Sequence, residues 1–159
     1  MNLKDLKNRY IKYDWKTIFV GVHENYFSKD VISDYAVELM VIGDESEFVS
    51  ELAWGVSMED LDKVMLEIKT KYFPQLDEAS TILLEEYRKL RFVCLSDIKE
   101  RCKEENELLN KIAEFYGNHN YPEDMVSFVN YMPQEVPTTK KDLVKRFDKF
   151  LKLESKRFS

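Results

Sequence analysis

The chain has 159 residues, 44% hydrophobic and 34% charged, with a net charge of −6, which suits one globular domain and excludes a disordered chain. Four glycines and four prolines leave little material for tight hairpins or phosphate-cradling loops, so helices are favoured. No apolar run approaches the roughly 20 residues of a membrane span, and the opening "MNLKDLKNRY" lacks an apolar signal region, so a cytoplasmic location without a membrane partner is expected.

Leu3, Leu6, Tyr10 and Tyr13 recur at helical spacing, and Asp14 offers an N-cap for a second helix from Trp15 with Ile18, Phe19 and Val22 on its apolar stripe. Ser28 is placed to cap a third helix, in which Val31, Ile32, Tyr35, Ala36, Leu39 and Met40 share a broad face before Gly43 ends it. A short helix is expected from about Glu45 to Trp54, stopped by Gly55. Ser57 and Asp60 approximate a capping box ahead of Leu61, Val64, Met65, Ile68 and Tyr72. From about Leu76 to Lys103 the pattern continues through Leu83, Leu84, Tyr87, Leu90, Cys94, Ile98 and Cys102, and fits either one helix or two broken near Ser96.

A further helix carries Leu108, Leu109, Ile112, Phe115 and Tyr116 and stops at "GNHN"; Pro122 then opens another with Met125, Phe128 and Val129. After "MPQEVP", Thr139 and Asp142 start a basic amphipathic last helix with Leu143, Phe147, Phe150 and Leu151 inward. No segment alternates apolar and polar residues, so the expected fold is an all-α bundle of about eight or nine helices in a single domain over residues 1–159.

Charge is unevenly spread. Thr138 to Ser159 holds eight Lys/Arg against three Asp/Glu, while the first 137 residues hold 16 against 27. An acidic body repels nucleic acid and favours a cationic partner, so no nucleic-acid partner is expected. The basic last helix could meet nucleic acid or a membrane surface, but docking on its own acidic domain is the simpler reading.

Chemistry-bearing motifs are absent. Neither His23 nor His119 has Cys, His or Asp at i+3 or i+4, so both read as surface or capping residues and no metal is expected. Cys94 and Cys102 fall inside an apolar pattern and read as small core residues of a reducing compartment. No Ser- or Cys-centred nucleophile motif or glycine-rich nucleotide loop is present. The expectation is a protein that is not an enzyme and holds no cofactor.

What stands out is the run from Asp30 to Asp62, with ten acidic residues and no basic one. At 100° per residue, Asp30, Asp34 and Glu38 form one strip of the third helix, shared by Val37 and Val41. On the next helix Phe48, Val49, Leu52 and Ala53 cluster inward, leaving Glu47, Ser50, Glu51 and Trp54 outward. The wheel cannot see neighbouring helices, so a Trp54 packed on one of them stays open. Leu66 falls near Glu59 and Asp62, away from its own helix's core stripe. Like charges at i,i+4 destabilise a helix by a few tenths of a kcal/mol. A surface that tolerates them beside an aromatic anchor has the composition of an interface for a basic partner. The expected partner-binding residues are Asp30, Asp34, Val37, Glu38, Val41, Glu47, Glu51, Trp54, Glu59 and Asp62.

Two stretches, "YDWKTIFVGVHENYFSKDVISDYAVELM" (13–40) and "FYGNHNYPEDMVSFVNYMP" (115–133), resemble a bacterial family catalogued as domain of unknown function 2247. Trp15, Ile18, Gly21, Ser28, Tyr35 and Ala36 carry the first match, and Tyr121, Pro122, Glu123, Phe128, Val129, Tyr131, Met132 and Pro133 the second. Residues 56–110 contribute nothing to it. The resemblance implies no catalytic residues. Similar proteins occur as small acidic genes beside secreted polymorphic toxins, which implies an immunity protein, or antitoxin, that inhibits a cognate toxin domain, a basic nuclease being one candidate. The alternative expectation is a helical scaffold or regulatory subunit of an intracellular assembly, and a third is a nucleic-acid-binding module using the last helix.

Overall fold

The computed structural model describes residues 1–77 and 79–158. Glu78, inside the stretch expected from Leu76, and Ser159, at the end of the expected last helix, lie outside the described residues. The fold is all-α: among the described residues there are eight α-helices, one 3-10 helix and no strand. The helices are α1 Leu3–Asn8, α2 Trp15–His23, α3 Asp30–Val41, α4 Glu47–Ala53, α5 Leu61–Tyr72, α6 Thr81–Arg101, α7 Glu105–Asn118, the 3-10 helix Glu123–Phe128, and α8 Lys140–Phe158. Packing divides the chain into two compact units, Met1–Leu90 and Arg91–Ser159, and α6 runs through the division as one uninterrupted helix.

Helix starts follow their side chains. Asn2 and Asp14 close reciprocal capping boxes on α1 and α2, satisfying backbone N–H groups that have no partner within the helix. Thr139 and Asp142 exchange the equivalent pair of bonds at the entrance to α8, at 2.9 and 3.2 Å. Ser28 does not cap α3: the N-cap is Lys29, with no side-chain capping bond, and Ser28 contributes only its carbonyl, which accepts from the Val31 N–H. Lys29 instead donates from Nζ to the Val56 carbonyl at 2.6 Å, joining the start of α3 to the segment after α4.

Four helices end by one device. After α1, α2, α3 and α7 the chain turns through a left-handed residue, Tyr10, Asn25, Gly43 and Asn120, with φ of 57°, 61°, 106° and 63°. In each, the following residue's N–H returns to a carbonyl five positions earlier: Ile11 to Leu6, Tyr26 to Gly21, Asp44 to Leu39 and Tyr121 to Tyr116. Tyr10 stops α1 at Asn8, and its own ring stands 93% exposed, so the helical spacing through Tyr10 and Tyr13 overran the helix. The device holds because Ile11 and Leu6, on either side of that turn, are both buried.

In unit Met1–Leu90 the core gathers Leu6, Ile18, Ile32, Ala36, Val49 and Ile68, all fully buried. Trp15 lies edge-on to Tyr35 and stacks on Tyr72, with centroids 4.7 and 5.3 Å apart. Glu86, a buried carboxylate of α6, accepts from Thr17 Oγ1 and Lys89 Nζ, each at 2.7 Å. In unit Arg91–Ser159, α8 lays Leu143 and Phe147 on α7 and the 3-10 helix, and Phe128 meets both Phe147 and Phe150. The segment opened by Pro122 forms a 3-10 rather than an α-helix, with Pro122 as its N-cap. Cys102 is buried and Cys94 half-buried, and burial pushes the Cys102 thiol above its usual range.

Candidate partner-binding surface

The surface is built by three successive helices of unit Met1–Leu90. Helix α3 spends one side on the core through Val31, Ile32, Tyr35 and Ala36, which turns Asp30, Asp34, Val37 and Val41 outward. Asp34 is exposed, the Asp30 side chain is 79% exposed, and Val41 is 81% exposed. A tight turn follows, in which Asp44 Oδ1 accepts the Ser46 N–H at 2.9 Å and Ser46 caps α4.

Helix α4 has only two buried residues, Val49 and Leu52, one turn apart. Glu47, Glu51 and Trp54 therefore share the opposite side. Trp54 is the C-cap, and Gly55 at φ +120° swings the chain away immediately afterwards so that Val56 is buried. The indole stays behind in solvent, 90% exposed. Few residues other than glycine adopt that φ, so the turn that buries Val56 is also what leaves Trp54 outside. Phe48 packs on Tyr72 at 6.1 Å, with the Lys71 ammonium 4.9 Å above its ring.

Helix α5 begins after a Ser57–Asp60 turn and buries only Ile68. Glu59 and Asp62 are exposed, and Leu66 stands 65% exposed beyond them. Of the ten residues expected on this surface, nine face solvent.

Glu38 behaves differently. Its carboxylate pairs with Lys7 and accepts the Tyr13 hydroxyl at 2.6 Å, with the side chain 31% exposed. The charge that no basic residue offsets within the run is offset for Glu38 by a lysine brought from α1. Burial first, and the bond to Glu38 second, hold the Tyr13 hydroxyl well above its ordinary range. Tyr35 is pushed up to about 12, by burial and then by the charges of Asp14 and Glu38. Glu38 thus anchors α1 to α3, as Asp44 and Asp60 order the two turns.

Several exposed apolar groups were not anticipated as part of this surface. Met40, Ile42 and Met58 are 43%, 80% and 71% exposed. Ile42 and Met58 lie in the turns flanking α4, where periodicity carries no information. Met40 shared the expected core stripe of α3, but α3 ends one residue later and its last turn overhangs the core.

A family model described as "Uncharacterized protein conserved in bacteria (DUF2247)" matches residues 3–155. No curated protein and no solved structure matches the chain.

Proposed function

We propose that this chain, which belongs to the bacterial family DUF2247, is an immunity protein of the cytoplasm that binds and neutralises a cognate basic toxin domain through the α3–α5 surface. One observation carries the reading: a tryptophan 90% exposed at the C-cap of α4, within 33 residues that contain ten carboxylates and no Lys or Arg. Tryptophan is enriched among the residues whose truncation costs most at protein interfaces, and a surface dominated by charge of one sign accelerates encounter with an oppositely charged partner. The resemblance to proteins encoded beside secreted toxins supports the same reading. Inhibition is stoichiometric and involves no chemistry. If the toxin is a nuclease, Glu47, Glu51 and Asp34 offer carboxylates where its basic site expects phosphates.

The test is co-expression with the adjacent gene, scored by survival. Expected is a neighbour toxic alone and tolerated when this chain is present, with the two proteins co-purifying. A neighbour harmless alone, or one that kills equally in the presence of this chain, overturns the reading. Co-purification of the chain with a larger assembly and no toxicity would support the scaffold alternative, which draws on exposed Tyr121 and Tyr131 in the other unit.

A further inference from the structure

Helix α8 carries a second charged surface, of opposite sign. Lys141, Lys145, Lys149, Lys152 and Lys156 follow one another at spacings of four, four, three and four residues. On a helix they occupy an arc of about 80° and a line about 22 Å long. All five are exposed, and none forms an ion pair with a described residue. The core residues Leu143 and Phe147 lie on the other side of the helix.

The three carboxylates of α8 form no ion pair with this line, although Asp142 feels the charge of Lys145, and each is engaged elsewhere. Asp142 closes the N-terminal cap with Thr139, Asp148 pairs with Lys99, and Glu154 is buried 3.7 Å from Arg91. Leu153, 57% exposed, borders the strip. The apolar face of the helix, these carboxylates and Arg146, which donates to the Ser127 carbonyl at 3.0 Å, hold it in place, and the five lysines form none of these bonds.

We propose that the lysine strip of α8 docks on the acidic α3–α5 surface of a second copy of this chain, giving a head-to-tail, salt-sensitive association. Charge complementarity selects the occupant. The acidic surface offers exposed Asp34, Glu47, Glu51, Glu59 and Asp62, together with Asp30, whose carboxylate lies 3.5 Å from Lys29, and every copy carries both surfaces in equal number. Lysine stems suit the exposed apolar groups there, since their methylenes cover apolar surface while the ammonium reaches carboxylates or sits over the Trp54 ring. Such a contact uses two different patches, so it leaves one of each free at the ends of any dimer. It also covers the surface assigned above to a basic partner, which would have to displace the second copy. The inference does not depend on that assignment, since it concerns the chain alone.

The experiment is sedimentation of the full chain, treated with nuclease, over a range of concentrations. Expected is a mass that rises above 19.0 kDa with concentration at low salt and returns to it near 1 M salt, where screening acts within about 3 Å. A strip variant, Lys145→Glu with Lys149→Glu, and a face variant, Glu47→Lys with Glu51→Lys, should each associate at least about tenfold more weakly. Mixed, the two should restore a complex that stops at twice the monomer mass, since only one intact strip and one intact face remain. A wild type that stays monomeric at low salt, association that survives 1 M salt, or a mixture no tighter than its parts overturns the proposal. Should a variant fail to fold by circular dichroism, the salt series of the wild type still decides. Rescue from the toxic neighbour should survive the strip variant and fail in the face variant, so loss of self-association and loss of partner binding are read separately.

Discussion

Arg91 forks both terminal guanidinium nitrogens onto Asp124, Nη1 to Oδ1 and Nη2 to Oδ2 at 2.7 Å each, from a side chain only 3% exposed. Its Cζ also lies 5.1 Å from the centroid of the Phe150 ring, and Glu154, 6% exposed, approaches Nη2 at 3.7 Å. One cation thereby joins α6, the 3-10 helix and α8 within unit Arg91–Ser159. Removing it takes away the cation beside buried Glu154, while Asp124, half exposed, can rehydrate. Breaking a buried pair by deleting one partner costs about 3–5 kcal/mol, and the exposure of Asp124 puts Arg91→Ala near the lower end, about 3 kcal/mol. Arg91→Lys should recover less than half, because an ammonium cannot fork. Urea unfolding of the two variants measures this; equal stability of Lys and wild type would show that only the charge matters.

Gly21 presents a contest of signs. It sits inside α2, where replacing glycine by alanine ordinarily stabilises a helix by about 1 kcal/mol. Here a Cβ would overlap the Phe27 ring, which is 4% exposed and whose own N–H is tied to the Gly21 carbonyl at 2.9 Å. The ring has nowhere to retreat. Overpacking costs about 1–3 kcal/mol, so Gly21→Ala should lower Tm by several degrees where propensity alone predicts a rise.

These two cases show what the sequence could and could not disclose. Helix type and order were legible because Trp15, Ile18, Ile32, Leu109 and Ile112 repeat at the helical period and are buried as the period requires. The end of α1 was not, because the left-handed position that stops it is filled by Tyr10 rather than by glycine or asparagine. Arg91 and Glu86 were missed although they border, on opposite sides, the apolar stripe shared by Leu83, Leu90 and Cys94; charges at the edges of a core stripe were the available signal. Exposure of Trp54 depended on Gly55, the residue after the C-cap of α4, which no wheel includes. Lys7 reaches Glu38 across 31 residues, and nothing local announces such a pairing.

Acid should loosen the helix entrances in a defined order of cause. Asp44, Glu104 and Asp142 are held below their usual carboxylate range first by backbone N–H bonds, to Ser46, Asn106 and Thr139 respectively. A carboxyl whose folded pKa is lowered contributes stability above its unfolded pKa, and loses that contribution as pH falls through the folded value. The window therefore opens near the ordinary values of 3.8 for Asp and 4.5 for Glu and extends below them. Asp142→Asn keeps an acceptor for the Thr139 N–H and should flatten the acid limb for the α8 entrance. Carboxyl titration by NMR checks it: a midpoint for Asp142 at or above 3.8 would contradict the capped geometry.

Trp54 offers the most direct check on the partner surface. The chain has two tryptophans, and Trp15 is 6% exposed while Trp54 is 90% exposed. Aqueous quencher should therefore reach one population and spare the other. Trp54→Ala removes the quenchable signal and, with few contacts to lose, should change unfolding free energy by no more than about 0.5 kcal/mol. Against the proposed basic partner the same substitution should cost about 2 kcal/mol, roughly thirtyfold in Kd, because a desolvated aromatic anchor dominates such an interface. Glu47→Lys with Glu51→Lys should instead act mainly on the association rate and its salt dependence. Loss of helical content in Trp54→Ala would place the indole in the core and refute the exposed geometry. Unchanged affinity in a well-folded variant would move the interface elsewhere on the acidic unit, with Val41 and Ile42 the next exposed apolar pair to test.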